Sequence, residues 1–365
     1  VKSLNIDKIK SILNKDIIPA RIDGRIISLF LKQLSILISS GTGLDKALKI
    51  IENQQIDKKL SLALDKINID LERGLTIDQA FSSNENYFNP MVVAFIKSGE
   101  ESGNFAKILD ELSFYINEES KNKSIIKQAM AYPIILLFVM ILIVAIVVNF
   151  VLPTFQNVFE KNGQQLPIAT RALIDISNFI KNYGFLIVLF LIIFALSLLI
   201  LRKDKQSKQK LDEFAHKFLA FKKLRQTKLE YQVSRLLYIL RSGDIEIKKS
   251  LFMIEKSFKN EYIKENIRNI TNEINQGKTL SKSISNKDIF SSLFKSMVEI
   301  GENSGNLLET LKKSSEYFSN DYIYKLKKLA ALAEPVMVII MSILVGFVVF
   351  AIAIPIFDSI NTIGL

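Results

Sequence analysis

Residues 134–152 read IILLFVMILIVAIVVNFVL, nineteen positions with no charge and one polar side chain, Asn149. A core helix of a soluble protein keeps some polar surface, whereas a run apolar on every face for about five turns suits a helix crossing a bilayer. Residues 336–354, VMVIIMSILVGFVVFAIAI, form a second such run, and residues 185–201, FLIVLFLIIFALSLLIL, a shorter third. Three membrane-spanning helices are therefore expected. No comparable run precedes Ile134, so no secretory signal is read ahead of the first span.

Outside these runs the 365 residues are polar and basic, with 48 Lys and Arg against 37 Asp and Glu, a net charge of +11. There is no Cys and a single His, His216. Disulfides, thiolate nucleophiles, Cys-ligated metals and any site needing two imidazoles are thereby excluded. No catalytic, cofactor or metal site is expected. The basic residues crowd beside the spans: Lys121, Lys123 and Lys127, then Arg202, Lys203, Lys205, Lys208 and Lys210, then Lys325, Lys327 and Lys328. The segment 153–184 carries only Lys161, Arg171 and Lys181. By the positive-inside rule, regions 1–132 and 202–334 share the cytoplasmic face and the C-terminus lies opposite. Anionic lipid or an acidic protein partner accounts for the excess charge, so no direct contact with nucleic acid is expected.

The two polar regions repeat each other. Gly99-Glu100-Glu101-Ser102-Gly103-Asn104 returns 202 residues later as Gly301-Glu302-Asn303-Ser304-Gly305-Asn306. At the same offset Ser40-Gly41 matches Ser242-Gly243, Tyr115 matches Tyr317, Pro133 matches Pro335 and Pro153 matches Pro355, while Gly74 meets Gly277 after a one-residue insertion. Each proline pair brackets about 30 Å of helix. Each repeat thus reads as a cytoplasmic module followed by a crossing, and the middle span returns the chain so that the repeats run parallel. Ile26, Ile27, Phe30, Leu34, Leu37 and Ile38 share one helical stripe, as do Val233, Leu236, Leu237 and Leu240. Gly41 and Gly243 are expected to end these helices in the left-handed conformation. Thr76 to Gln79 reads as a capping box, and Asn104 and Asn306 as caps of long helices. No period-2 run appears, so each module is expected to be an antiparallel bundle of five or six short helices.

Candidate chemistry is sparse. Gly277-Lys278-Thr279 looks like the end of a phosphate-binding loop, but Asn272 stands where its first Gly is required and helix rather than strand precedes it. His216 has only Asp212 and Glu213 nearby in the chain. In the Gly-Glu-x-Ser-Gly turns the glycines permit tight helix–helix connections, and Glu100 and Glu302 either hold backbone N–H groups or meet a partner or divalent cation. Glu334, just ahead of Pro335, either reaches the aqueous interface or pairs with a basic group. Pro133 and Pro335 predict a kink or adjustment where each crossing begins.

Taken in order, Gly41, Gly99, Glu100, Ser102, Gly103, Tyr132-Pro133 and Pro153, then Gly243, Gly301, Glu302, Ser304, Gly305, Glu334-Pro335 and Pro355, resemble the inner-membrane platform proteins of type II secretion systems and type IV pili (GspF/PilC-like). The likeness spans about residues 25–358. It implies an all-α, non-enzymatic scaffold in the bacterial inner membrane, N-terminus cytoplasmic and C-terminus periplasmic. Its partners would be a cytoplasmic hexameric assembly ATPase, pilin-like subunits, other inner-membrane machine components, the lipid bilayer and further copies of itself as a homo-oligomer. The expected layout is a short segment 1–24, module 25–132, span 133–153, periplasmic segment 154–184, span 185–201, module 202–334, span 335–355 and tail 356–365. A small transporter or channel component is the alternative, with little intramembrane charge to form a path.

Overall fold

The computed structural model describes residues 21–151, 153–154, scattered positions between 171 and 197, and 204–363. Every regular element among them is helical. The expected span 185–201 and the segment 154–184 lie largely outside the described residues.

The first repeat comprises α1 (Gly24–Ser39), α2 (Leu44–Asn53), α3 (Lys58–Glu72), α4 (Ile77–Ser83), α5 (Pro90–Ser102) and α6 (Phe105–Ile146). The second half comprises α7 (Lys205–Lys217), α8 (Leu219–Ser242), α9 (Ile247–Ser257), α10 (Glu261–Asn275), α11 (Leu280–Ser285), α12 (Ser292–Asn303) and α13 (Leu307–Ile363). The helix ends show that the halves are built alike. Asp57 and Asn260 cap α3 and α10, Thr76 and Thr279 cap α4 and α11, and Asn89 and Ser291 cap α5 and α12, each side chain accepting from a first-turn N–H. Gly74 and Gly277 leave α3 and α10 at φ 86° and 87°. Gly103 and Gly305 leave α5 and α12 at φ 71° and 68°.

One turn corrects the sequence alignment. Gly41 is left-handed at φ 84°, but Gly243 is not, at φ −94°; Asp244 takes the left-handed place at φ 61°. The bonds agree: Thr42 N–H reaches the Leu37 carbonyl, and Ile245 N–H reaches that of Leu240. Residues of α1–α4 therefore match those of α8–α11 at an offset of 203, and a shorter α11 restores 202 by Asn89 and Ser291. Identity of Ser-Gly with Ser-Gly misled by one residue because an Asp can adopt the αL conformation that Gly adopts freely.

The chain divides into two compact units, residues 1–122 with 209–322 and residues 123–208 with 323–365. The first unit contains the short helices of both repeats. In the first repeat Phe30, Phe81 and Phe88 meet at ring-centroid distances of 5.2 to 6.5 Å, all fully buried. In the second, Phe290, Phe294 and Phe318 do the same at 4.8 and 5.8 Å. Aromatic area at the centre of each bundle supplies much of the transfer free energy that small helices need.

The second unit holds the apolar lengths of α6 and α13. Phe105–Phe150 and Leu307–Phe350 are long and apolar enough to cross a membrane, and almost none of their most apolar windows is buried against protein. α6 continues through Pro133 without a break and opens into a π-helical turn, Val147–Val151, just before Pro153. There Asn149 Nδ2 donates to the Ala145 carbonyl and the Thr154 hydroxyl to that of Phe150, so side chains take up acceptors the irregular turn loosens. α13 continues past Pro355 to Ile363, so that proline does not close the helix as the spacing suggested. A proline removes one N–H and the helical bond it would make, which weakens a long helix at that point without ending it.

Candidate functional site

The Gly-Glu-x-Ser-Gly turns are assembled by close approach. A Cβ on Gly99 would lie 2.7 Å from the Phe105 ring, and one on Gly301 would lie 2.7 Å from Thr310 Cβ, so only Gly lets α6 and α13 fold back here. The Ser102 and Ser304 hydroxyls donate to the Gly99 and Gly301 carbonyls at 3.3 Å. Gly103 and Gly305 then supply the left-handed exit. Glycines and serines thus have the same structural duty in both repeats.

The two glutamates do not. Glu302 accepts from the backbone N–H groups of Leu280 and Ser281, at 2.8 and 2.9 Å, and from the Ser281 hydroxyl at 2.5 Å. It therefore caps the start of α11. Burial pushes the Glu302 carboxyl up, but the bonds from Ser281 and Leu280 outweigh it and hold the group below the usual value. In the first repeat α4 needs no such help, because Gln79 accepts from the Thr76 N–H and completes a capping box. Lys282 stands at the Gln79 position and offers no acceptor. At the Ser281 position stands Asp78, which pairs with Lys97. Glu100 is left exposed, with no hydrogen-bond or ion-pair partner among the described residues. Burial, then the carboxylates of Asp78 and Glu101, raise it above the usual carboxylate value, against the pull of Lys97.

Beside this turn the two repeats meet within the first unit, α5 and α6 against α8 and α9. Arg235 is buried and donates through Nη2 to Glu111 at 2.5 Å, with its guanidinium 4.8 Å from the Phe114 ring centroid. The Tyr238 hydroxyl donates to the other Glu111 oxygen at 3.3 Å. Tyr115 and Tyr231 pack at 5.9 Å, and Gln232 Nε2 donates to the Tyr115 hydroxyl. Burial raises both phenols well above their ordinary range. Lys249 pairs with Glu101, and Ser98 meets Met253 Sδ at 2.9 Å. Asn104 donates to the Asp244 carboxylate at 3.3 Å and the Gly243 carbonyl at 3.5 Å, so its side chain bridges the repeats where the sequence suggested a cap. Gly243 owes its identity to the same contact: a Cβ there would lie 2.4 Å from Ile108 Cδ1.

Sequence reading missed this interface. A signal was present: Tyr231, Arg235, Tyr238 and Ser242 repeat every three or four residues on α8, a second stripe beside the apolar one. Of the remaining candidates, Tyr132 and Glu334 are exposed on α6 and α13, while Pro133 is buried and Pro335 exposed. Gly277 ends α10, Lys278 pairs with Glu273 at 3.1 Å and Thr279 caps α11, so that stretch is a helix–helix turn. His216 is buried 5.8 Å from the Tyr262 ring, and burial followed by Arg225, Lys222 and Lys217 lowers its pKa. Among the described residues no three His, Asp or Glu side chains are grouped to hold a metal ion.

Comparison with known proteins agrees with this duplicated build. The family described as type II secretion system (T2SS), protein F matches residues 30–153 and again residues 233–355. The matched stretches open 203 residues apart and close 202 apart, the same change of register that the caps show. The type IV pilus assembly protein PilC of Thermus thermophilus is 25% identical over 340 residues, covering 93% of this chain and 84% of its own length. TapC, a type IV pilus assembly protein of Aeromonas hydrophila, is 26% identical over 351 residues, 94% of this chain and 84% of its own. Type II secretion system protein F of Vibrio cholerae is 24% identical over 337 residues, 92% of this chain and 82% of its own.

Proposed function

The chain belongs to the type II secretion system protein F family, and on that premise we propose that it is the non-enzymatic inner-membrane platform of a fibre-assembling machine. It would couple a cytoplasmic assembly ATPase to the extraction and stacking of pilin-like subunits, in protein secretion, pilus biogenesis or DNA uptake. Modules 25–132 and 202–334 face the cytoplasm in this reading. Spans 133–153, 185–201 and 335–355 hold them to the bilayer, and 154–184 and 356–365 lie on the periplasmic side. The chain works as a homo-oligomer among other inner-membrane components.

One observation carries the proposal: each repeat is a packed bundle whose last helix runs on as an apolar rod with exposed sides. Such a part is suited to passing force from a partner in the cytoplasm to the bilayer. The first module is assigned to the ATPase, because its Glu100 has no hydrogen-bond or ion-pair partner among the described residues while its twin Glu302 accepts three hydrogen bonds. The test is paired. Depleting the chain from its host should abolish fibre or secreted product, and the purified chain should hydrolyse no ATP. Turnover that disappears in Lys278→Ala, or fibre output that persists without the chain, would overturn the reading.

A further inference from the structure

Within the first unit the repeats meet through unlike faces, α5–α6 of the first against α8–α9 of the second. Each repeat therefore also carries the face that its twin uses and it does not. In the second repeat, Ile300, Thr310 and Tyr317 occupy the positions of Ser98, Ile108 and Tyr115. Ser98 and Tyr115 are 2% and 4% exposed in the contact, whereas Ile300 and Tyr317 are 65% and 50% exposed. In the first repeat, Leu29, Ile36 and Ile50 occupy the positions of Gln232, Ile239 and Met253. Ile239 is wholly buried, yet Ile36 is 56% exposed.

We propose that a second copy of this chain covers these faces, seating Leu29, Ile36 and Ile50 of its first repeat on Ile300, Thr310 and Tyr317 of the neighbour's second. The contact made inside each chain is then repeated between chains. One internal pair keeps its sign: Asp321, which also accepts from the Thr227 hydroxyl of its own chain at 3.4 Å, stands at the Glu119 position and Arg25 opposite it at the Lys228 position. Lys313 and Lys32 also come to face each other, but each is paired on its own side, with Glu309 and Asp110. Such a head-to-tail contact closes into a ring or continues as an open array, according to its rotation. The inference rests on the self-association included in the proposed function and names its surfaces.

The absence of Cys makes the test clean. Ser40 and Thr310 hold the positions of Gly243 and Ile108, which touch within the chain. Full-length Ser40→Cys and Thr310→Cys chains, mixed in membranes and oxidised, should yield covalent dimer about tenfold above a mixture of Asp65→Cys with Thr310→Cys. Either single variant alone should stay at the control level, and the double variant should give a ladder. Adding Ile300→Lys to the Thr310→Cys chain should return the yield to control while its helical circular dichroism persists. A mixture no better than control, or single variants that link like with like as efficiently, would overturn the proposal. Neither result touches the platform reading, which is judged by fibre output and ATP turnover.

Discussion

At the residue scale the duplicated glutamates offer the sharpest contrast. Glu302→Gln removes the charge and one of the two oxygens that accept from the Leu280 and Ser281 N–H groups and the Ser281 hydroxyl, and should cost about 1–2 kcal/mol at neutral pH, measured as heat-induced loss of helix in detergent. Because the folded carboxyl lies below its usual value, that contribution is present above the unfolded pKa and lost as pH falls through the folded one. The gap between variant and wild type should therefore narrow below about pH 4. Glu100 has the opposite sign, since its folded pKa is raised. Glu100→Gln should equal or exceed wild-type stability at neutral pH and lose any advantage in acid. Equal losses in both variants would show that the turns work alike. The sequence showed two motifs that differ only at Glu101 and Asn303; the divergence of Glu100 and Glu302 rests on Gln79 against Lys282, a difference that acquires meaning only once Glu302 is seen reaching α11.

At the element scale the central contact is between α6 and α8. Gly243→Ala introduces no backbone strain at φ −94°, but its Cβ meets buried Ile108. It should destabilise the chain by about 1–3 kcal/mol, and Ile108→Val should recover part of the loss. Gly41→Ala is the converse, with open space but φ 84°, and should cost about 1 kcal/mol that Ile108→Val leaves unchanged. Thermal midpoints of the four chains separate the cases; equal rescue of both would contradict the geometry. Most helices were legible beforehand, since caps such as Thr76 and turn glycines such as Gly74 are local signals. The partner of Arg235 was not, because Glu111 is 124 residues away in the chain and pairing across that distance leaves no periodic trace.

At the scale of the whole molecule the repeat and the apolar rods were readable from composition, spacing and charge alone. The error was one residue of register, hidden by matching Ser-Gly pairs and exposed by φ at Gly243 and Asp244. The platform role requires above all that both bundles occupy one side of the bilayer. Lys66 and Asn269 are exposed and equivalent at the 203 offset, and the Cys-free chain lets each carry a single thiol. Labelling Lys66→Cys, Asn269→Cys and Gln164→Cys chains with an impermeant maleimide, in inverted and right-side-out vesicles, reads the topology directly. The prediction is that the thiols at 66 and 269 react in inverted vesicles only, and that at 164 in right-side-out vesicles only; opposite sidedness of 66 and 269 would contradict it.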